Sequence, residues 1–129
     1  MIRNIIGSTI AVALLLLVGC RGQMPVYNVT SAPVVANKAV SSDEVAKAIT
    51  RAGARSGWQM IQKGPGTIEG VLVAREHRAV VDIKYNTKSY SITYKDSDKL
   101  QYDGTNIHPS YNGWIQRLEN NIRVELSTL

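Results

Sequence analysis

The chain contains no phenylalanine and only one cysteine among its 129 residues. A single thiol cannot form a disulfide within the chain, and it cannot build the multi-cysteine sites that hold structural zinc. The longest uninterrupted apolar run, residues 10–18, is shorter than the about 20 residues that a membrane-spanning helix requires. These absences argue against a disulfide scaffold, a cysteine-based metal site and a transmembrane anchor, so packing alone must stabilise the fold.

Common catalytic motifs are missing as well: the sequence has no G-x-S-x-G, no S-x-x-K and no Walker loop. We therefore predict that the protein is not an enzyme and that it uses no metal. The formal net charge is +5, with basic and acidic residues interspersed. This balance allows weak attraction to anionic lipid headgroups or cell-wall polymers. Nucleic acid is not an expected partner in the secreted compartment that the N-terminal residues indicate.

The N-terminal residues have the pattern of a secretory signal. Arg3 precedes a short apolar region, and small residues lie before its end. The region ends in Leu17-Val18-Gly19-Cys20, which differs from the usual A-x-A cleavage pattern. This motif places an apolar residue three positions before a possible cut, a small residue directly before it, and the cysteine directly after it.

The motif resembles the lipobox of bacterial lipoproteins. The resemblance implies that residues 1–19 are a signal peptide and that Cys20 receives an S-diacylglyceryl group and an N-acyl chain such as palmitate. Beyond this covalent lipid, we expect no cofactor. In that family an aspartate after the cysteine favours the inner membrane. This chain has Arg21 there, which predicts attachment to the outer membrane, facing the periplasm. The alternative is an ordinary secreted protein with a free cysteine.

Residues 20–40 are predicted to be the lipidated cysteine and a tether, because alanine, serine, proline and asparagine are frequent there. Fully extended, 20 residues reach about 65 Å. Within this segment, residues 26–30 have strand-like composition after Pro25, so they are a possible extra edge strand.

Residues 41–129 are predicted to form one domain with two helices. Ser41 and Glu44 have capping-box spacing and begin a helix over residues 42–55. A second helix is predicted over residues 111–125, capped by Ser110. Each helix carries one apolar stripe at helical spacing: Val45, Ala48, Ile49 and Ala52 in the first, and Tyr111, Ile115, Leu118 and Ile122 in the second.

Between the helices the apolar period changes to two. Four strands joined by short turns are predicted over residues 58–63, 67–75, 78–85 and 89–95. The prediction is an α+β fold of order α-β-β-β-β-α, with or without the extra N-terminal edge strand. Its four-stranded antiparallel meander carries both helices on one face, which includes Ile83, Tyr90 and Ile92.

A second resemblance involves the strings Gly57-Trp58, Arg75-Glu76-His77, residues 90–94 and residues 107–115. Together they look like a group of small bacterial lipoproteins of unknown function, over about residues 42–126. This resemblance implies no activity and assigns no functional residue.

Arg75, His77 and Arg78 lie at a predicted hairpin tip, where they could bind an anion or supply an acid and a base. The alternative is a solvated turn. A hydrolase would use His77 or His108 with a carboxylate. A zinc site would need both histidines and a carboxylate to converge from distant loops, and their spacing matches no metal motif. The tyrosines could line a glycan groove, or they could belong to the core.

Val71, Val73 and Val80 are predicted on the sheet face opposite the helices, where they form a partner surface unless residues 26–30 cover them. The leading hypothesis is a lipid-anchored, non-enzymatic module that binds an envelope protein or a cell-wall component. The alternative is a carrier of small ligands or of anionic glycans, such as cell-wall or lipopolysaccharide fragments.

Overall fold

The computed structural model describes residues 22–129, so the signal-like segment and Cys20 lie outside the described residues. Within these described residues, two helices and seven strands follow one another. In order they are β1 (Met24–Pro25), β2 (Val29–Pro33), α1 (Ser42–Arg55), β3 (Gln59–Gly64), β4 (Thr67–Ala74), β5 (His77–Tyr85), β6 (Ser89–Asp98), β7 (Asn106–Ile107) and α2 (Pro109–Ser127).

The main sheet is antiparallel and has the strand order β2-β6-β5-β4-β3, while β1 and β7 form a separate two-stranded pair. The general α+β class is therefore confirmed, but the four-stranded sheet and the predicted element order are wrong. The sheet gains its fifth strand because β2 pairs with β6. Val29 of β2 is almost fully buried, and Pro33 is tolerated because β2 is an edge strand.

The start of α1 is the predicted capping box. Ser41 Oγ accepts a hydrogen bond from the Glu44 amide at 3.1 Å, and Glu44 Oε1 accepts one from the Ser41 amide at 3.2 Å. The start of α2 differs from the prediction. This helix begins at Pro109, where proline needs no amide hydrogen, and its cap is His108, whose Nδ1 accepts from the Ser110 amide at 3.1 Å.

One hydrophobic core lies between the helices and the sheet. It unites the buried stripes of both helices with the predicted sheet face that includes Ile83, Tyr90 and Ile92. The two helices are also joined at their surface by Glu125 of α2, which contacts Arg51 and Arg55 of α1 at 3.0 and 2.9 Å.

The segment predicted as a tether is largely part of the folded domain. Pro25 and Tyr27 are held by Asn112, whose side chain bonds the Pro25 carbonyl and the Tyr27 amide, both at 2.9 Å. Further along, the Val34 amide donates to the Lys88 carbonyl, and Asn37 bonds the last turn of α2. The tether predicted over residues 20–40 is therefore shorter than expected, because much of this segment packs on the domain.

The sheet has two ends, which carry different loops. At the β1–β7 end lie the hairpin tip of residues 75–76, the loop of residues 99–105, and the β1–β7 pair. At the opposite end, here called the turn end, lie the turns of residues 65–66 and 86–88. Within residues 22–129, no helix combines the length and the apolarity needed to cross a membrane.

Candidate functional site

The predicted hairpin tip is a tight turn at the β1–β7 end. Ala74 pairs with His77, so Arg75 and Glu76 form the turn, and Arg75 adopts a left-handed backbone with φ of 58°. Arg75 is exposed and has no ion-pair partner among residues 22–129. Glu76 contacts Lys99 at 3.3 Å. The tip is thus a solvated turn with one arginine available to a ligand.

Arg78 does not share this availability. Its guanidinium contacts Asp96 at 2.6 Å and also bonds Asp98. Hydrogen bonds to these two carboxylates raise the pKa of Arg78 further above its ordinary value, while Arg78 lowers the pKa of Asp96. Because both carboxylates belong to β6, Arg78 links two strands of the sheet. In the predicted anion site of Arg75, His77 and Arg78, the charge of Arg78 is therefore neutralised, and Arg75 keeps a charge without an ion-pair partner among residues 22–129.

His77 and His108 come together from the start of β5 and the start of α2, although their spacing in sequence matches no motif. Their rings stack with centroids 5.8 Å apart and planes at 28°. His77 Nδ1 lies 3.0 Å from the Lys99 carbonyl, so this nitrogen carries the hydrogen, and His108 Nδ1 accepts from the Ser110 amide. Each ring thus uses one nitrogen to hold a backbone segment. No cluster of three metal-ligating side chains occurs in the described part of the chain.

The sheet face opposite the helices is mostly a network of ion pairs. Lys95 contacts Glu69 at 2.7 Å and Asp82 at 3.6 Å. These contacts join β4, β5 and β6 across the face that carries the predicted valine patch. Lys95 lowers the pKa of the Glu69 carboxyl, and Glu69 raises the pKa of Lys95.

The valine patch is smaller than predicted. Val80 is only 5% exposed, lies between Arg78 and Asp82 on the same strand face, and pairs with the half-buried Val71. Only Val73 is widely open to solvent, at 65%. The N-terminal segment does not cover this face, since β2 joins the edge of β6 instead. A broad apolar docking surface is therefore absent from this face of the described domain.

Two tyrosines of the possible groove belong to the core. Tyr90 is 3% exposed and Tyr111 is fully buried. Burial raises the pKa of Tyr90 to about 12 and raises the pKa of Tyr111 as well. Tyr94 packs edge-on against Tyr111 and also against Tyr102, which remains partly exposed. A continuous aromatic groove for a glycan does not form from these residues.

A shallow cleft at the turn end was missed by sequence reasoning. Its volume is about 150 Å³, and it lies between β2 and the hairpin of β5 and β6. Mostly polar side chains line it: Ser31, Lys84, Tyr85, Asn86, Ser89 and Ser91. The pairing of β2 with β6 is irregular between Val29 and Ala32, and Ser31 within this irregular stretch adopts φ of 49° and forms part of one wall. The cleft has the chemistry for a small polar or anionic group.

The charge around this cleft is basic. Lys63, Lys84 and Lys88 lie on or beside the strands and turns of this end, and none has an ion-pair partner among residues 22–129. Lys84 Nζ donates only to the Thr67 hydroxyl, at 3.1 Å. The basic residues at 84 and 88, on either side of the Asn86 turn, are the sequence signal that could have drawn attention to this end.

Comparison with known proteins adds no relative: no protein-family model, no curated protein and no solved structure matches this chain. What the domain does must therefore be argued from its own residues.

Proposed function

We propose that the chain is a lipid-anchored, non-enzymatic binding domain of the bacterial cell envelope. Cys20 would carry the lipid at the periplasmic face of the outer membrane. The apolar run and the Leu17-Val18-Gly19-Cys20 motif support the anchor. Its chemistry is suitable, because two or three acyl chains hold a protein stably on a bilayer whereas one does not.

A binding role is supported by the way the polar groups are used. Arg78, Glu69 and Lys95 hold strands together, and the two histidines hold backbone segments. These groups have structural partners, whereas catalysis needs a nucleophile oriented by a base. Among residues 22–129, the groups that stay available to a ligand include Arg75 at the hairpin tip and the lysines of the turn end.

The ligand class that fits these lysines is an anionic envelope polymer, one that carries phosphate or carboxylate groups. The single observation behind this choice is the basic turn end, where Lys84 lines the polar cleft, Lys88 lies in the adjacent turn, and neither has an ion-pair partner among residues 22–129. Positive groups without an ion-pair partner attract polyanions, and salt screens this attraction. The site therefore lies at the opposite end of the sheet from the one that the sequence indicated.

The anchor is tested by growth with labelled palmitate. Label on the wild type and none on Cys20→Ala supports the anchor, while equal label on both contradicts it. The same samples give the mass of the mature N-terminal peptide, which must begin at the modified Cys20.

The ligand is tested with purified lipopolysaccharide and with isolated cell-wall sacculi, by cosedimentation of the mature protein at low and at high salt. We expect binding that weakens with salt, and a reduction of several-fold in the double variant Lys84→Gln and Lys88→Gln. Lys47→Gln is the matched control, because Lys47 is already paired with Asp43 at 3.0 Å. Equal reduction in both variants, or binding that salt does not affect, would contradict the proposed ligand class.

A further inference from the structure

The folded domain begins very close to Cys20. Only Arg21 and Gly22 separate this cysteine from Gln23, whose side-chain amide donates to the Gln101 carbonyl. The next residues, Met24 and Pro25, pair with β7. Three residue steps span at most about 11 Å in any conformation. The Cα atom of Gln23 therefore lies within that distance of the Cα atom of Cys20.

This distance is short on the scale of a bilayer. The polar layer on each side of the hydrocarbon core is about 5–8 Å thick. A lipid on Cys20 would place the residue at the inner boundary of that layer, so Gln23 could rise only a few ångströms beyond the headgroups. Since Gln23 belongs to the β1–β7 end, this end of the domain would face the membrane.

The surface at this end suits such a position. Met24 is 49% exposed and Tyr102 is 39% exposed, and the two lie on neighbouring segments. Tyrosine is favoured at membrane interfaces because its ring is apolar and its hydroxyl is polar. The ring of Tyr94 packs against Tyr102 with centroids 3.9 Å apart, which holds the Tyr102 ring in one orientation.

The loop that carries Tyr102 has a defined shape. Lys99 and Gln101 adopt left-handed backbones with φ of 57° and 54°, which costs energy for residues other than glycine. The Leu100 carbonyl accepts from the His108 amide at 2.9 Å, and Asp103 Oδ1 accepts from the amides of Thr105 and Asn106. The loop is thus held in a strained conformation by its own contacts.

We propose that the β1–β7 end, with Met24 and Tyr102 foremost, rests in the headgroup layer of the membrane that holds the lipid of Cys20. This inference depends on the proposed lipid anchor. The contact is apolar and interfacial, because most charged groups at this end are paired: Arg78 with Asp96 and Asp98, and Lys99 with Glu76. Arg75 is exposed at this end and has no ion-pair partner among residues 22–129. The lysines of the turn end then point away from this bilayer, toward the periplasm.

The test uses the lipidated mature protein, which has no cysteine other than Cys20. Thr105→Cys and Thr87→Cys are a matched pair, since both threonines are exposed and lie at opposite ends of the sheet. Each new thiol is labelled with the fluorophore NBD. The proteins are reconstituted into phosphatidylethanolamine and phosphatidylglycerol vesicles that contain lipids carrying a quencher in the headgroup region.

We expect at least twofold quenching of the probe at position 105, no quenching at position 87, and no change in 0.5 M salt. Replacing Met24 and Tyr102 by serine in the Thr105→Cys protein should reduce the quenching. Lipidated protein in which the two probes behave alike, or in which only position 87 is quenched, overturns the inference and leaves the anchor intact. Protein without lipid on Cys20, detected by its mass, overturns both.

Discussion

Tyr27 donates its hydroxyl hydrogen to Glu119 at 2.6 Å, and this bond joins the N-terminal segment to α2. The carboxylate acceptor raises the pKa of the Tyr27 hydroxyl above its ordinary value. The backbone amide of Tyr27 also donates a hydrogen bond to the side chain of Asn112. Residues that a reader of the sequence would assign to a tether are therefore structural members of the domain.

Tyr27→Phe removes this hydrogen bond and keeps the ring. Hydrogen bonds to charged groups contribute about 1.5–3 kcal/mol, and partial exposure places this one near the lower limit. We expect the free energy of unfolding, measured with urea, to fall by about 1.5 kcal/mol. Tyr102→Phe is the control: its hydroxyl makes a 3.3 Å contact in an exposed loop, so the change should stay below about 0.5 kcal/mol. Similar losses in both variants would argue against the bond.

Val29→Ala tests whether β2 belongs to the core. Val29 is 4% exposed, and the loss of its buried methyl groups should lower the free energy of unfolding by about 2 kcal/mol. Val35→Ala changes the same residue type in the same segment at 62% exposure, so we expect less than about 0.5 kcal/mol. If Val29→Ala were as mild as Val35→Ala, the segment would have to be detached in solution.

Two glycines should respond to alanine in opposite directions. A Cβ atom at Gly70 would lie 3.0 Å from Val81 and 3.3 Å from Trp58, both buried. We expect Gly70→Ala to cost about 1–2 kcal/mol by overpacking. A Cβ atom at Gly113 in α2 would meet no atom within 4 Å apart from its chain neighbours and the nearby backbone of its own helix, so Gly113→Ala should add about 0.5–1 kcal/mol through helix propensity. Thermal and urea unfolding of the two variants measure both changes: a lower unfolding free energy for Gly70→Ala and a higher one for Gly113→Ala.

His108 should behave as a helix cap and not as a catalytic group. His108→Ala leaves the Ser110 amide without its acceptor, and we expect a loss of about 1 kcal/mol in unfolding free energy. His108→Asp supplies another acceptor and a negative charge at the helix N-terminus, so its stability should match or exceed that of the wild type. An aspartate variant no more stable than the alanine variant would refute the capping role.

The stabilisation of the helix pair by the Glu125 carboxylate should depend on pH. Hydrogen bonds from Arg55 and Arg51 lower the pKa of the Glu125 carboxyl below its ordinary value of 4.5. Between the pKa of Glu125 in the folded chain and its higher pKa in the unfolded chain, the unfolded chain binds more protons. The stabilisation by the Glu125 ion pairs is therefore complete above about pH 5 and is lost as the pH falls through the folded pKa.

We therefore expect Glu125→Gln to be less stable than the wild type at pH 7 and to approach it at pH 3. Urea unfolding at the two pH values measures the difference. Glu76→Gln is the control, since its ion pair with Lys99 is 65% exposed on both sides and should matter little at either pH. A Glu125→Gln effect that is the same at both pH values would rule out the proposed linkage.

Local patterns predicted much of the fold. The Ser41 and Glu44 spacing gave the start of α1, and the alternation of apolar residues gave β3 to β6, with each end within three residues of its observed position. These features depend on neighbours in sequence. The pairs of β2 with β6 and β1 with β7 depend on residues far apart, such as Val29 with Ile92 and Met24 with Ile107, so composition alone could not assign them.

The candidate site was less predictable for the same reason. Arg78 looked free in sequence, but the folded sheet places two aspartates of β6 beside it, next to a register shift between Val80 and Val81. Val80 looked exposed by its position on the strand and is buried. Conversely, the importance of Lys84 depends on its lack of an ion pair in the described fold, where the neighbouring carboxylates of Glu69 and Asp82 contact Lys95 instead.

The pairing of the N-terminal segment with β6, β7 and α2 has a consequence for the order of folding. The partners of Met24, Tyr27 and Val29 are residues 107, 119 and 92, so the segment cannot dock until most of the polypeptide has been made. The residues that follow the signal-like region are thus among the first to be synthesised and among the last to pack against their partners. An incomplete chain would display this stretch without partners, which distinguishes unfinished molecules from finished ones.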